Sequence, residues 1–239
     1  MPSSTITTDI ILFDLDGTLV ESTASVEKTW EDYHEKYGID LTDLYQKSHG
    51  ARTIDTFTKY FPQLAIDGDM TAAAKLFDMS IVNDNGHLSK PIDGAVELMK
   101  SLNNSADGLQ KWAICTSGTP ALAHGWFTKV LPVEEPKIFV TAVDVTQGKP
   151  HPEPYLKGAA LLSAEHGLTK EYERKIVFED APAGIKAGKA AGAIVVGILS
   201  SFDKPVLDEA GADYVVKDLT HVKVVKNDKD GIVLEVDHE

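Results

Sequence analysis

Ile10-Ile11-Leu12-Phe13-Asp14-Leu15-Asp16-Gly17-Thr18 decides how the rest of this 239-residue chain is read. Four consecutive apolar residues suit a short strand buried on both faces, the habit of a parallel sheet covered by helices. That strand empties into two carboxylates one residue apart. On extended backbone, positions i and i+2 point the same way, so Asp14 and Asp16 are expected to converge beyond the strand end. Converging negative charges repel unless a cation or a shared proton offsets them, which points to a divalent metal site with chemistry attached. Gly17 allows a sharp turn beside a ligand, and Thr18 offers a hydroxyl there. Asp-x-Asp-Gly also occurs in plain turns and opens helix-loop-helix calcium loops, which need a Glu at the twelfth position. Counted from Asp14, the twelfth residue is Ser25, so the calcium reading is poor.

Downstream the spacing turns helical. Val26, Trp30, Tyr33 and Tyr37 recur every three or four residues, with Gly38 as a stop. A second helix is expected after Thr53, ending at Pro62, and a third over about 69–82. The turn Pro91-Ile92-Asp93-Gly94 leads into a helix over 95–102. Strand signals then return and alternate with helices: 111–115, 137–140, 175–178, 194–198 and 212–216. Repeated strand-helix units predict an α/β fold with a doubly wound parallel sheet. The tail, 222–226 and 232–236 about Asn227-Asp228-Lys229-Asp230-Gly231, reads as a β-hairpin. The helical stretch after the first strand is taken as a small cap, 20–90, inserted into a core of 1–19 and 91–239. Trp30, Tyr33 and Tyr37 are expected to pack that cap rather than to stack on a sugar.

Composition is that of an ordinary globular protein, 43% hydrophobic and 25% charged. A net charge of −14 without a dense basic block argues against nucleic acid as partner. A phosphorylated ligand would therefore need a locally positive pocket. Cys115 is the single cysteine, which excludes an internal disulfide and a four-cysteine zinc site. No apolar run is long enough for a bilayer. The expectation is a cytoplasmic monomer acting on a small molecule.

In open α/β sheets, ligands bind beyond the carboxyl ends of the strands. Asp14 and Asp16 follow the first strand, Thr116-Ser117-Gly118 the second, Gly148-Lys149-Pro150 the third, and Glu179-Asp180 the fourth. Singly each has a bland reading: a helix cap, a surface lysine, a solvated first turn. Four such sets at four strand ends are hard to ascribe to accident. The chemistry that uses them together is phosphoryl transfer, which depends on positioning and charge neutralisation. One carboxylate can attack phosphorus, a second can protonate the leaving alkoxide, and Mg²⁺ can offset the repulsion.

In that combination the chain resembles the haloacid dehalogenase (HAD) superfamily of phosphatases, with all four motifs in order and a Rossmann-like core. The resemblance implies that Asp14 is the nucleophile and Asp16 the general acid/base. It implies that Thr116, with Ser117 and Gly118, binds phosphate and that Lys149 steadies both nucleophile and phosphate. Asp180 would complete the Mg²⁺ site with Asp14 and the Asp16 carbonyl, helped by Glu179. Within the superfamily the chain looks like the fungal sugar and polyol phosphatases, the 2-deoxyglucose-6-phosphate phosphatases and glycerol-1-phosphatases. The stretches Ser48-His49-Gly50-Ala51-Arg52, 147–154 and 178–192 carry that likeness. His49 and Arg52 are expected to reach over the site and contact substrate, and Glu21 to line the pocket or the hinge.

Three other readings use similar residues. A phospho-receiver module shares the sheet, carboxylates, hydroxyl and lysine, but Asp16 would hasten loss of its phosphoryl group, and it needs no cap. A dehalogenase has no use for Asp16, since halide leaves unprotonated. A sugar phosphomutase keeps every catalytic residue.

Overall fold

In the computed structural model, which describes residues 2–38, 52–65, 67–167 and 172–239, the run Ile10–Phe13 is a fully buried strand, β2, following β1 (Ser3–Thr8). β2 sits inside a six-stranded parallel sheet. The order is β6 (Phe139–Val140), β5 (Trp112–Cys115), β2, β7 (Lys175–Glu179), β8 (Ile194–Ile198), β9 (Tyr214–Val216). Phe13 lies level with Ile114 on one side and Phe178 on the other, so the residues that follow all three strands emerge side by side.

The period of two sorts β2 between two cores. Ile11 and Phe13 pack with α4 (Ala95–Asn103), α5 (Pro120–Lys129) and the inner face of a second sheet. Ile10 and Leu12 pack with α6 (Glu153–Glu165), α7 (Pro182–Ala190) and α8 (Lys204–Ala210). Both faces of the parallel sheet are thus covered, which is why its central strands β2 and β5 are apolar throughout rather than alternating. Each large side chain removed from water here contributes roughly 1.5–3 kcal/mol.

The second sheet is antiparallel, in the order β1, β11 (Gly231–Asp237), β10 (Val222–Asp228). The expected hairpin is present. The strand joining it from Ser3–Thr8 was not legible, because Ile6 is its one apolar residue; Ile6 is buried opposite Leu234.

Among the described residues, three helices face the carboxyl end of the parallel sheet: α1 (Thr23–Tyr37), α2 (Thr53–Tyr60) and α3 (Met70–Asn83). Gly38, at φ 67°, ends α1 in the left-handed conformation that glycine adopts freely. Trp30 packs at the centre of the three, with ring centroids 4.0 Å from Phe77, 5.5 Å from Phe57 and 5.7 Å from Phe61. A two-stranded ribbon, β3 (Val20–Glu21) against β4 (Lys90–Pro91), carries the chain into and out of this helical segment. No described helix is long and apolar enough to cross a membrane.

Candidate active site

Asp14 leaves β2 with its backbone N–H bonded to the Phe178 carbonyl at 3.0 Å, which holds it beside the end of β7. There Asp14, Glu179 and Asp180 bring carboxylate oxygens within 4.8 Å of one another, all buried. The Lys149 ammonium, its side chain 1% exposed, donates to Asp14 Oδ1 at 2.5 Å and to Glu179 Oε1 at 2.6 Å. Burial alone would lower the lysine pKa; the two carboxylates outweigh it and hold the group above its ordinary value. Burial raises Asp14 well above the carboxylate range, with Lys149 opposing and Glu179 and Asp180 adding to the rise. Asp180 is pushed up to about 7, by burial and then by Glu179. Clustered oxygen donors that disfavour one another's charge suit a hard divalent cation, and Asp14 and Asp180 fit that group.

Glu179 is occupied differently from the ligand role expected of it. Tyr155 donates its hydroxyl to Oε1 at 2.8 Å, beside Lys149, while the backbone N–H groups of Asp180 and Ala181 donate to Oε2 at 3.0 Å each. Each oxygen already serves two donors of the protein, so Glu179 fixes Lys149 rather than offering free lone pairs. Thr18 likewise turns from the ligand position expected of it and donates to Asp180 Oδ1 at 3.1 Å. Gly17 makes the close approach possible: it has φ 81°, and a Cβ there would fall 2.1 Å from Asp180 Oδ2.

The loop expected to bind phosphate follows β5. Thr116 donates its backbone N–H to the Val140 carbonyl at 2.9 Å, and its hydroxyl oxygen accepts the Gly118 N–H at 3.0 Å. The hydroxyl proton is thereby left for a ligand. Thr116, Ser117 and Gly118 line one cavity with Asp14, Asp16 and Asp180. Asp16 Oδ1 accepts the Trp126 indole N–H at 2.8 Å. Burial raises the Asp16 pKa against the hydrogen bonds from Ser22 and Trp126, which favours a carboxyl able to hold and release a proton.

The facing wall comes from the helical segment and includes Val26, Trp30, Thr53, Phe77 and Asp78. Asp78 is fully buried on α3; one oxygen accepts the Thr53 hydroxyl and the other the Thr119 backbone N–H, each at 2.8 Å. Burial raises its pKa to about 6, with those hydrogen bonds opposing.

Asp78, Trp126 and Tyr155 were not found from sequence. A lone acid on a helix reads as a solvated position, and the two aromatics read as core. Ser201 also lines the cavity and bonds Asp180; it follows β8, and the strand-end rule extended to that strand would have reached it.

Two expected contacts lie elsewhere. Glu21 pairs with Lys90 at 3.1 Å across the ribbon and does not line the cavity, because its side chain leaves β3 on the exposed face. Arg52 does not line it either. Its guanidinium pairs with Asp55 at 2.7 Å and donates to the carbonyls of Ala142 at 3.2 Å and Val145 at 3.0 Å. It therefore ties the start of α2 to the loop that leads to Lys149. His49 lies outside the described residues.

A family profile described as haloacid dehalogenase-like hydrolase matches residues 8–192. Among curated proteins, the chain is 46% identical to 2-deoxyglucose-6-phosphate phosphatase 1 of Saccharomyces cerevisiae, covering 96% of each chain. It is 42% identical to glycerol-1-phosphate phosphohydrolase 1 of the same yeast, over 89% of this chain and 83% of the relative. Among solved structures, a hydrolase from Pseudomonas syringae superposes with a TM-score of 0.70 at 26% identity, covering 88% of this chain and 94% of the other.

Proposed function

The chain belongs to the haloacid dehalogenase-like hydrolase family, and on that footing we propose that it is a Mg²⁺-dependent phosphatase of small sugar or polyol phosphates. The yeast relatives named for 2-deoxyglucose 6-phosphate and glycerol 1-phosphate support that substrate class, the former more strongly. The observation that carries the reading is the convergence of Asp14, Asp180 and Thr116 on one cavity, with Lys149 bonded to Asp14. Helices α1–α3, between the ribbon strands, act as a cap that encloses the ester.

Asp14 attacks phosphorus with its carboxylate, forming an aspartyl phosphate and splitting hydrolysis into two displacements. Lys149 cancels part of the charge on the nucleophile and on the incoming phosphoryl oxygens. The Thr116 hydroxyl orients those oxygens. Asp16 gives its proton to the departing alkoxide, then takes one from the water that attacks the aspartyl phosphate. Asp14, Asp180 and the Asp16 carbonyl would hold Mg²⁺, which supplies charge neutralisation between nucleophile and phosphate.

Phosphate release from 2-deoxyglucose 6-phosphate and glycerol 1-phosphate, before and after chelation, tests this. Activity that vanishes with chelator and returns with Mg²⁺, together with acid-quenched label on Asp14, is the expected result. Hydrolysis indifferent to chelator, or an isomeric phosphosugar as product, would overturn it.

A further inference from the structure

The cavity is bounded by two unlike walls, and the helical wall carries a charge of unexpected sign. No lysine, arginine or histidine is found among its described lining residues, yet Asp78 is there, fully buried. A second phosphate on the ligand would require a cation at that end. A carboxylate does the opposite: it accepts hydroxyl donors and opposes anions. An ionised carboxylate has about four acceptor positions, and Thr53 and Thr119 use one on each oxygen. Asp78 itself lines the cavity. Both contacts also fix the carboxylate before ligand arrives, so little ordering is left to do on binding. Trp30, Phe77 and Ile81 provide apolar surface around it for a carbon skeleton.

Building on the proposed phosphatase reading, we infer that Asp78 is the specificity-determining residue for the leaving group. It accepts a hydroxyl from an uncharged polyol or sugar and repels a leaving group that bears a second anion. Specificity of this kind combines an attraction with a built-in repulsion.

Three three-carbon esters separate the two effects: glycerol 1-phosphate, propyl phosphate without hydroxyls, and 3-phosphoglycerate with a carboxylate. With Asp78→Asn, kcat/KM on glycerol 1-phosphate should fall at least tenfold further than on propyl phosphate. The ratio of 3-phosphoglycerate to glycerol 1-phosphate turnover should rise at least tenfold. Should the asparagine variant fail to fold, Asp78→Ser, smaller and uncharged, is expected to show the same rise in ratio. Parallel losses on all three esters in a folded variant would make Asp78 a merely structural tie between α3 and Thr119 and overturn the inference. Wild-type protein that hydrolysed neither these three nor 2-deoxyglucose 6-phosphate would remove the phosphatase reading itself, and this inference with it.

Discussion

The strand-end wall and the helical wall of the cavity are built by different means. Asp14, Thr116 and Asp180 are placed by backbone register: their strands run parallel, lie level with one another and end together. Asp78, Trp30 and Thr53 are placed by side-chain packing among α1, α2 and α3. Register is shared by every ligand that enters, so the strand-end wall suits the phosphoryl group, common to all esters. Packing is local and varies with each side chain, so the helical wall suits the part of the ligand that differs. Substitutions on the first should slow all substrates alike, and those on the second should re-rank them.

Asp14→Asn is the strongest test of this division. Loss of the nucleophile should cut phosphate release at least about a thousandfold on every ester, measured by steady-state kinetics. An ester-dependent loss would erase the distinction between the walls. Asp16→Asn should follow, at about 10²–10⁴-fold on alkyl phosphates. Because Asp16 also takes a proton from the water that attacks the aspartyl phosphate, kcat should fall on p-nitrophenyl phosphate as well.

Arg52→Ala comes next. Because the guanidinium spans from α2 to the carbonyls of Ala142 and Val145, its removal should lower stability by roughly 1.5–3 kcal/mol, the usual range for hydrogen bonds from a charged group. Chemical denaturation reads that loss, and activity should decline equally on sugar and artificial esters. A change in substrate ranking would return Arg52 to the selective wall.

The smallest effect is on pH dependence. Asp78 is raised from the ordinary 3.8 to about 6 in the folded protein. An acid held above its ordinary value binds its proton more tightly when folded. Its contribution to stability is therefore complete below about pH 4 and is lost as pH rises through about 6. Asp16 is the charged neighbour that adds to the rise, after burial. Melting curves between about pH 4 and 7 should diverge between wild type and Asp78→Asn, the variant showing the flatter decline. A pH-independent difference would place that carboxyl outside the titrating set.

Legibility followed the same division. Ile10–Phe13 announced a doubly buried strand, and residues following strands could be gathered by a topological rule before any coordinate was known. Asp14, Asp16, Thr116, Lys149 and Asp180 all fell to that rule. Glu179 was found as a helper at the metal, but nothing local signals that Tyr155, on a helix 24 residues earlier, donates to it. Asp78 was invisible because a helical period describes one residue's relation to its own helix, not to the wall opposite. Arg52 was expected to contact substrate, yet its guanidinium reaches a carbonyl 90 residues away in sequence. Side chains that meet across separate elements leave no spacing to read.

The strand Ser3–Thr8 is made first of its sheet and pairs with Gly231–Asp237, so that Ser4 meets His238 across a separation of 234 residues. During synthesis it waits, an unclaimed ribbon edge, until Gly231–Asp237 has emerged. Its hydroxyl-rich composition suits that wait, since a greasy edge left open so long would recruit the wrong neighbour.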